Sequence, residues 1–345
     1  IAADGDQTEP VDWGCVASRD AEPRYSPDGK WIACEVGAED NHWSYAGRIH
    51  IFSTANRESH PLHDVSDEQP LIAGWTADSK GVYVVNQQKL DTEILRLSID
   101  GSVPNTVITG TKLISAHHVN ARDQIVLSTQ DFAEPNDIVF ADLASDSIPA
   151  TTQQVSVPMA DRFPLGALPK IKLLQWYTPD HFEIEGILYL PATYDESSGD
   201  RVPLLLHIHG GPASVFQRQY AAHPYYYTPA ALCERGIAVL RCNPRGSGGY
   251  GRQFRHANMY DWGEGDFRDL MQGVDTVIEL GIADPERLGI CGWSYGGFMT
   301  SWAITQTHRF QAASIGAPVT NPRSFNGTAD IPSFIVDYFG GEAWE

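Results

Sequence analysis

Gly292-Trp293-Ser294-Tyr295-Gly296-Gly297 sets a single serine among glycines. A serine hydroxyl attacks a carbonyl carbon only when it stands clear of its surroundings, has a base to take its proton, and finds donors for the developing oxyanion. The neighbours supply a frame for such an attack. Arg287-Leu288-Gly289-Ile290-Cys291 is a short apolar segment that predicts a buried strand. Behind the motif, Phe298, Met299, Trp302, Ala303 and Ile304 fall at the three- and four-residue spacings of a helix face. Strand, G-x-S-x-G and helix in that order make a nucleophile elbow, a turn too tight for side chains at Gly292 and Gly296. It thrusts the Ser294 hydroxyl out at a helix N-terminus, where negative charge is favoured. The backbone N–H of Tyr295 is then expected to be one oxyanion donor.

A second donor is expected from His209-Gly210-Gly211-Pro212, which follows the uninterrupted apolar strand Pro203-Leu204-Leu205-Leu206-His207-Ile208. Two glycines let the backbone approach a substrate and aim a free N–H at it, and the proline stiffens the loop. A competing motif, Gly246-Ser247-Gly248-Gly249-Tyr250-Gly251, fits G-x-G-x-x-G, with Asp266 and Asp269 downstream. Its context fails a dinucleotide site. Asp261-Trp262-Gly263-Glu264-Gly265 breaks the helix that should follow, and both aspartates open a helix instead of ending a strand. The segment is expected to border the cleft. His207 with His209, and the pair His117-His118, lack the third ligand and spacing of a zinc site. No metal and no cofactor are expected.

The base and its orienting acid are harder to place. In this arrangement the chain order is serine, acid, histidine. After Ser294 the sole histidine is His308, beyond the elbow helix and pointed away from the cleft, and Asp330 and Asp337 follow only one further strand. The acid and the histidine base are therefore expected beyond residue 345, and the chain is expected to be incomplete at both ends.

The elements that must hold these groups fall into two halves. Residues 1–160 repeat a theme: a turn at Ser26-Pro27-Asp28-Gly29-Lys30, again at Thr76-Ala77-Asp78-Ser79-Lys80, and more faintly at Asn120-Ala121-Arg122-Asp123, each leading into short strands. Strands of four to seven residues between Asp-Gly-type turns, at this period, predict blades of an all-β partial propeller. A β-sandwich would alternate without the repeat. Proline-punctuated residues 156–170 predict a linker. Residues 161–345 then alternate strand and helix, predicting an α/β-hydrolase domain with a mainly parallel sheet, lacking its last strands. Leu173–Tyr177 and Glu185–Leu190 form a strand pair, Ile237–Cys242 a strand, Asp266–Leu280 a helix, and Ala312–Val319 a strand after the elbow helix.

Composition narrows the partners. At 345 residues with a net charge of −20 the chain has no basic face for nucleic acid. No apolar run reaches the length of a membrane span. The expectation is a soluble protein, cytoplasmic or periplasmic, with a homo-oligomer left open. The five cysteines are scattered, and Cys242 and Cys291 fall inside predicted strands, so buried free thiols are expected.

Taken together, the blade repeats, His209–Pro212, Asn243-Pro244-Arg245-Gly246-Ser247-Gly248-Gly249-Tyr250-Gly251 and the elbow resemble the prolyl oligopeptidase family of serine peptidases, most nearly its bacterial dipeptidyl-aminopeptidase and acylaminoacyl-peptidase branch. The resemblance covers nearly the whole chain. It implies a propeller that restricts access to a cleft, a short peptide as substrate, attack by Ser294, and an oxyanion held by Tyr295 and Gly211. Where relatives use a tyrosine side chain as a donor this chain has His209. Trp293, Arg245 and Tyr250 either line substrate pockets or pack the cleft wall. The chain departs from one pattern: it has no Glu-Glu dipeptide to hold a free substrate amine. A carboxylesterase on the same fold and a non-catalytic binding propeller with a decayed hydrolase domain are the alternatives.

Overall fold

The computed structural model describes residues 15, 21–37, 47–56, 58–67, 69–110, 112–144, 150–156, 167–224, 226–331 and 333–341. In the front half, the three expected turns share one chemistry. Ser26 and Thr76 each donate a side-chain hydrogen bond to the aspartate two residues on, at 2.7 Å in both cases, and those carboxylates accept the amides of Lys30 and Lys80. Asn120 does the same job alone, its Oδ1 accepting from Arg122 and Gln124 at 2.8 and 3.1 Å. The fourth residue of each turn is left-handed: Gly29, Ser79 and Asp123 have φ of 71°, 61° and 56°.

Around these turns lie three four-stranded antiparallel sheets, successive propeller blades. The first joins β1 (Arg24–Tyr25), β2 (Trp31–Gly37), β3 (Gly47–Ser53) and β4 (Ser59–Pro61); the second joins β5 (Leu71–Trp75), β6 (Gly81–Gln88), β7 (Asp91–Ser98) and β8 (Asn105–Ile108). The third joins β9 (Leu113–Val119), β10 (Gln124–Gln130), β11 (Asp137–Asp142) and β12 (Thr152–Gln154). The expected strands follow the turns; β5 and β9, which precede the second and third turns, and the short outer strands β4, β8 and β12 are additions to them. Blades pack face to face: Ile49, Ile51, Trp75 and Val84 fill one seam, and Ala73, Ile94, Ile125 and Leu127 the next. Each turn also holds its predecessor, since Ser79 Oγ accepts from Asp28 N at 3.1 Å and Asp123 Oδ1 from Ala77 N at 2.8 Å.

The second half is one six-stranded sheet in the order β13 (Lys170–Tyr177), β14 (Glu183–Leu190), β16 (Ala238–Asn243), β15 (Val202–Ile208), β17 (Ala283–Trp293), β18 (Phe310–Gly316). The last four are mutually parallel, and β13 and β14 run antiparallel to their neighbours. Its helices are α1 (Pro229–Cys233), α2 (Arg252–His256), α3 (Gly265–Glu279), α4 (Tyr295–Gln306), α5 (Pro322–Thr328) and α6 (Ser333–Phe339). Leu206, Ile208, Leu240, Ile290, Val274 and Met299 meet in its core. Ile208 pairs with Gly292 and His207 with Arg241, so β15, β16 and β17 end together. Three loops therefore emerge at one edge of the sheet, where open α/β sheets bind ligands.

Two boundaries differ from expectation. β17 begins at Ala283, ahead of the expected segment Arg287–Cys291, and takes in Asp284-Pro285, where the pairing with β15 shifts register between Val202 and Leu204. Asp284 stitches that irregularity by accepting from Glu286 N at 3.0 Å and Arg287 Nε at 2.7 Å. Strand β18 stops at Gly316, because Ala317 turns to φ 39° and Pro318 has no N–H to pair. The expected linker and the boundary at 160/161 fall mostly in 157–166, outside the described residues, as do Trp344 and Glu345. No helix among the described residues is long and apolar enough to cross a membrane.

Candidate active site

Crowding makes the elbow. A Cβ built on Gly292 would lie 2.3 Å from Gly296 O, one on Gly296 2.3 Å from Ile208 O, and one on Gly297 2.2 Å from Gly316 O. No side chain fits at any of the three. The strain falls on the serine between them, with φ 58° and ψ −118°, a conformation that costs a non-glycine residue about 1–3 kcal/mol. Ser294 N donates to Gly316 O at 3.0 Å, which ties the turn to β18. The Ser294 side chain is half-buried and does not fold back to cap α4. Tyr295 opens α4, so its N–H is one of the first-turn donors that the helix cannot use itself.

The loop after β15 faces this serine. A Cβ on Gly210 would sit 3.5 Å from Ser294 Cβ and 3.3 Å from Trp293 O. Gly211 has φ 116°, and a side chain there would meet the amides of Ala213 and Ser214 at 2.6 and 2.5 Å. Gly211 thus has no room for a side chain, and Gly210 brings backbone close to Ser294.

His209, considered as a substrate contact, turns inward. Its Nδ1 lies 2.7 Å from Gly210 O and its Nε2 2.9 Å from Ser247 Oγ. A carbonyl only accepts, so Nδ1 carries the proton, and neither nitrogen is left for an oxyanion. Burial holds the ring neutral, with its pKa pushed down to about 4.

Arg245, expected either in a pocket or in the cleft wall, is held as a strut. Its guanidinium donates to Asp269 from Nε and Nη2 at 2.9 and 2.8 Å, and to Asp180 from Nη1 and Nη2 at 2.6 and 3.0 Å. Only 5% of its side chain is exposed. Burial opposes its charge, but the two carboxylates more than offset that and hold the arginine protonated.

Tyr250 belongs to the wall as well. Its hydroxyl donates to Glu185 at 2.9 Å and accepts from Asn243 Nδ2 at 3.1 Å, and its ring lies on Phe254. Trp293 differs from these three. It is 37% exposed beside the nucleophile and stacks on Tyr226 with ring centroids 4.2 Å apart and planes 2° from parallel.

Three participants were not legible in the sequence. Tyr226 lies in a run of tyrosines with no period to single it out. Asp266 sits fully buried behind the elbow, accepting the Tyr295 hydroxyl at 2.5 Å and the amides of Gly263 and Phe267 at 2.8 Å each. Burial pushes its carboxyl up to about 7 despite those donors. Asp67 reaches the site's border from the propeller, out of an acidic run, Asp64-Val65-Ser66-Asp67-Glu68, that reads as solvated surface.

His308 lies just before β18, at the far end of α4 from Ser294, about 18 Å of helix away. His207 is buried and accepts from Arg241 Nε at 3.0 Å. Among the described residues no histidine hydrogen-bonds Ser294. No cluster of metal-binding side chains occurs among them either. All five cysteines carry thiols and four are buried; burial pushes the Cys291 thiol up to about 12, which makes it inert at neutral pH.

Comparison with known proteins agrees with this geometry. An uncharacterized peptidase of Bacillus subtilis, YuxL, is 34% identical over 277 residues, covering 79% of this chain and 39% of that protein. Dipeptidyl-peptidase 5 of Porphyromonas gingivalis is 24% identical, covering 94% of this chain and 46% of its own length. The chain thus spans less than half the length of these relatives. The acylaminoacyl peptidase of Pyrococcus horikoshii superposes with a TM-score of 0.76 at 21% identity, over 94% of this chain and 48% of that one, and shows the same propeller-plus-hydrolase fold. Residues 224–345, which include the elbow, match the prolyl oligopeptidase family.

Proposed function

We propose that this chain carries the nucleophile of a serine peptidase that cleaves short peptides through an acyl-enzyme on Ser294. The observation that carries the reading is the strained Ser294 backbone, held by three glycines directly opposite Gly210. Ser294 Oγ bonds to the scissile carbonyl carbon, its proton passes to a general base and then to the leaving amine, and the C–N bond breaks. Water afterwards cleaves the acyl ester by the same route reversed. The N–H groups of Tyr295 and Gly211 hold the oxyanion. The acid and the base are supplied from outside the described residues. Trp293, with Tyr226 behind it, forms an apolar wall for a substrate side chain.

The blades bear on access. A cavity of about 640 Å³ is lined by Glu35, Leu71, Ile72 and Gln87 from the propeller and by Gly211 and Ala213 from the oxyanion loop. A short, extended peptide fits such a space and a folded protein does not, which favours a peptidase over an esterase without a propeller. The test is a fluorophosphonate probe on the full-length protein, followed by peptide mapping. Labelling confined to Ser294, with turnover of a peptide anilide, is the expected result. Absence of label would support a binding module, and turnover of short esters alone would support an esterase.

A further inference from the structure

Several contacts join the propeller to the hydrolase half. Lys89 N donates to Gly249 O at 2.7 Å and Lys89 Nζ pairs with Glu183 at 2.6 Å; Asp91 pairs with Arg218 at 2.5 Å; Gln130 and Phe132 accept the amides of Tyr220 and Ala221. The side chains of these two ion pairs are partly exposed, and the Lys89 amide holds Gly249 by a single backbone hydrogen bond. Asp67, between β4 and β5, is different. Its side chain is 2% exposed, its partner Arg255 0%, and Arg255 Nη2 stands 2.8 Å from Asp67 Oδ1. The same oxygen accepts Gly249 N at 2.8 Å and Gly251 N at 3.0 Å, and Arg255 also donates to the Asp67 carbonyl. One propeller carboxylate therefore fixes the far end of the loop Arg245–Gly251, while Asp269 and Asp180 fix its near end through Arg245.

Between those two anchors the loop grips the oxyanion segment. Ser247, fully buried, places its Oγ 2.6 Å from Pro244 O and 2.9 Å from His209 Nε2. The ring passes the constraint on, with Nδ1 donating to Gly210 O at 2.7 Å. Gly248 N donates to Ser214 O at 3.2 Å, and a Cβ on Gly248 would press on Ala213 O at 2.9 Å. Residues 209–214 are thereby held from both sides, and Gly210 in turn abuts Ser294. The side chains that carry the route, Asp67, Arg255, Ser247 and His209, are all buried, so displacement at one end has little solvent-filled slack to absorb it.

We propose that Asp67 is a positioning residue for the chemical step: through the loop Arg245–Gly251 and the Ser247–His209 pair, the propeller sets where the oxyanion donors stand. The proposal rests on Ser294 being the nucleophile. It makes the propeller more than a filter, because a substrate too small to need filtering should still feel the loss of Asp67. A latch that only held two domains together would affect entry of peptides and leave small esters alone.

The experiment compares wild type, Asp67→Ala, Ser247→Ala and the double variant in the full-length protein, with p-nitrophenyl acetate as the small probe and a peptide anilide beside it. Expected is a fall in kcat on the small ester of about tenfold to a hundredfold for either single variant, with KM within about twofold. The double variant should be no slower than the worse single one, since both cut the same route. Unchanged kcat on the small ester, or single effects that multiply, would overturn the proposal. Should Asp67→Ala fail to fold, Ser247→Ala decides alone by the same kcat criterion. A wild type that reacts with neither ester nor fluorophosphonate defeats the nucleophile reading itself; a reactive wild type with equally reactive variants defeats only the positioning role.

Discussion

Two kinds of turn in this molecule hold backbone at positive φ, and they tolerate sequence very differently. In the blades the left-handed position is filled by Gly29, Ser79 and Asp123, and a Cβ on Gly29 would meet nothing within 4 Å. At the elbow the left-handed residue is Ser294 itself, and glycine is demanded at the positions around it because neighbouring backbone stands 2.2–2.3 Å from any Cβ. A blade turn needs only a local conformation, which a side chain accepting from nearby amides can also supply. The elbow needs space. Its glycines are fixed by what packs against them, and that is why the catalytic turn is narrow in sequence while the structural turns drift.

The sharpest way to break this contrast is a matched pair of alanines. Gly296→Ala should lower turnover by about a hundredfold or more, since an ångström of displacement at the nucleophile already costs that much. Gly29→Ala should leave turnover unchanged and cost about 1–2 kcal/mol of stability from the left-handed φ alone. Steady-state kinetics with denaturant titration reads both. An active Gly296→Ala enzyme would remove the packing argument.

The contrast also explains what the sequence reveals. The elbow and the His209–Pro212 loop are legible because their glycines mark where backbones collide, and the blades because the Asp-turn recurs. What stays hidden depends on long-range pairing. Arg245 sits in a glycine-rich stretch that reads as an exposed loop, yet its partners Asp180 and Asp269 lie 65 and 24 positions away. Asp67 meets Gly249 across 182 positions. His209 is visible as a residue type but not in its direction, which Ser247 sets. No period or local motif encodes such contacts.

A second prediction separates the two roles open to Arg245. Arg245→Ala leaves Asp269 buried without its cation and should cost about 3–5 kcal/mol in urea denaturation, with KM of the folded enzyme unchanged. A raised KM at full stability would restore the guanidinium to the substrate pocket.

The third and smallest effect concerns Asp266, whose carboxyl is pushed up to about 7 from 3.8 by burial. A folded-state pKa above the unfolded value means the native state keeps its proton longer, so stability present at acid pH is lost as pH rises through that window. Asp266→Asn removes the titration. The stability difference, variant minus wild type, should therefore grow from about pH 4 to pH 7 and level off above it. Thermal melts across that range give the answer, and a flat difference would show the carboxylate ionised without penalty.

The proposed mechanism requires that Ser294 meet a substrate carbonyl with two amide donors already in place opposite it. The most direct measurement is a crystal structure of the full-length protein carrying a phosphonate on Ser294. The prediction is one phosphonyl oxygen within about 2.7–3.1 Å of both Tyr295 N and Gly211 N. A phosphonyl oxygen turned away from either amide, or phosphonate on another residue, would contradict it.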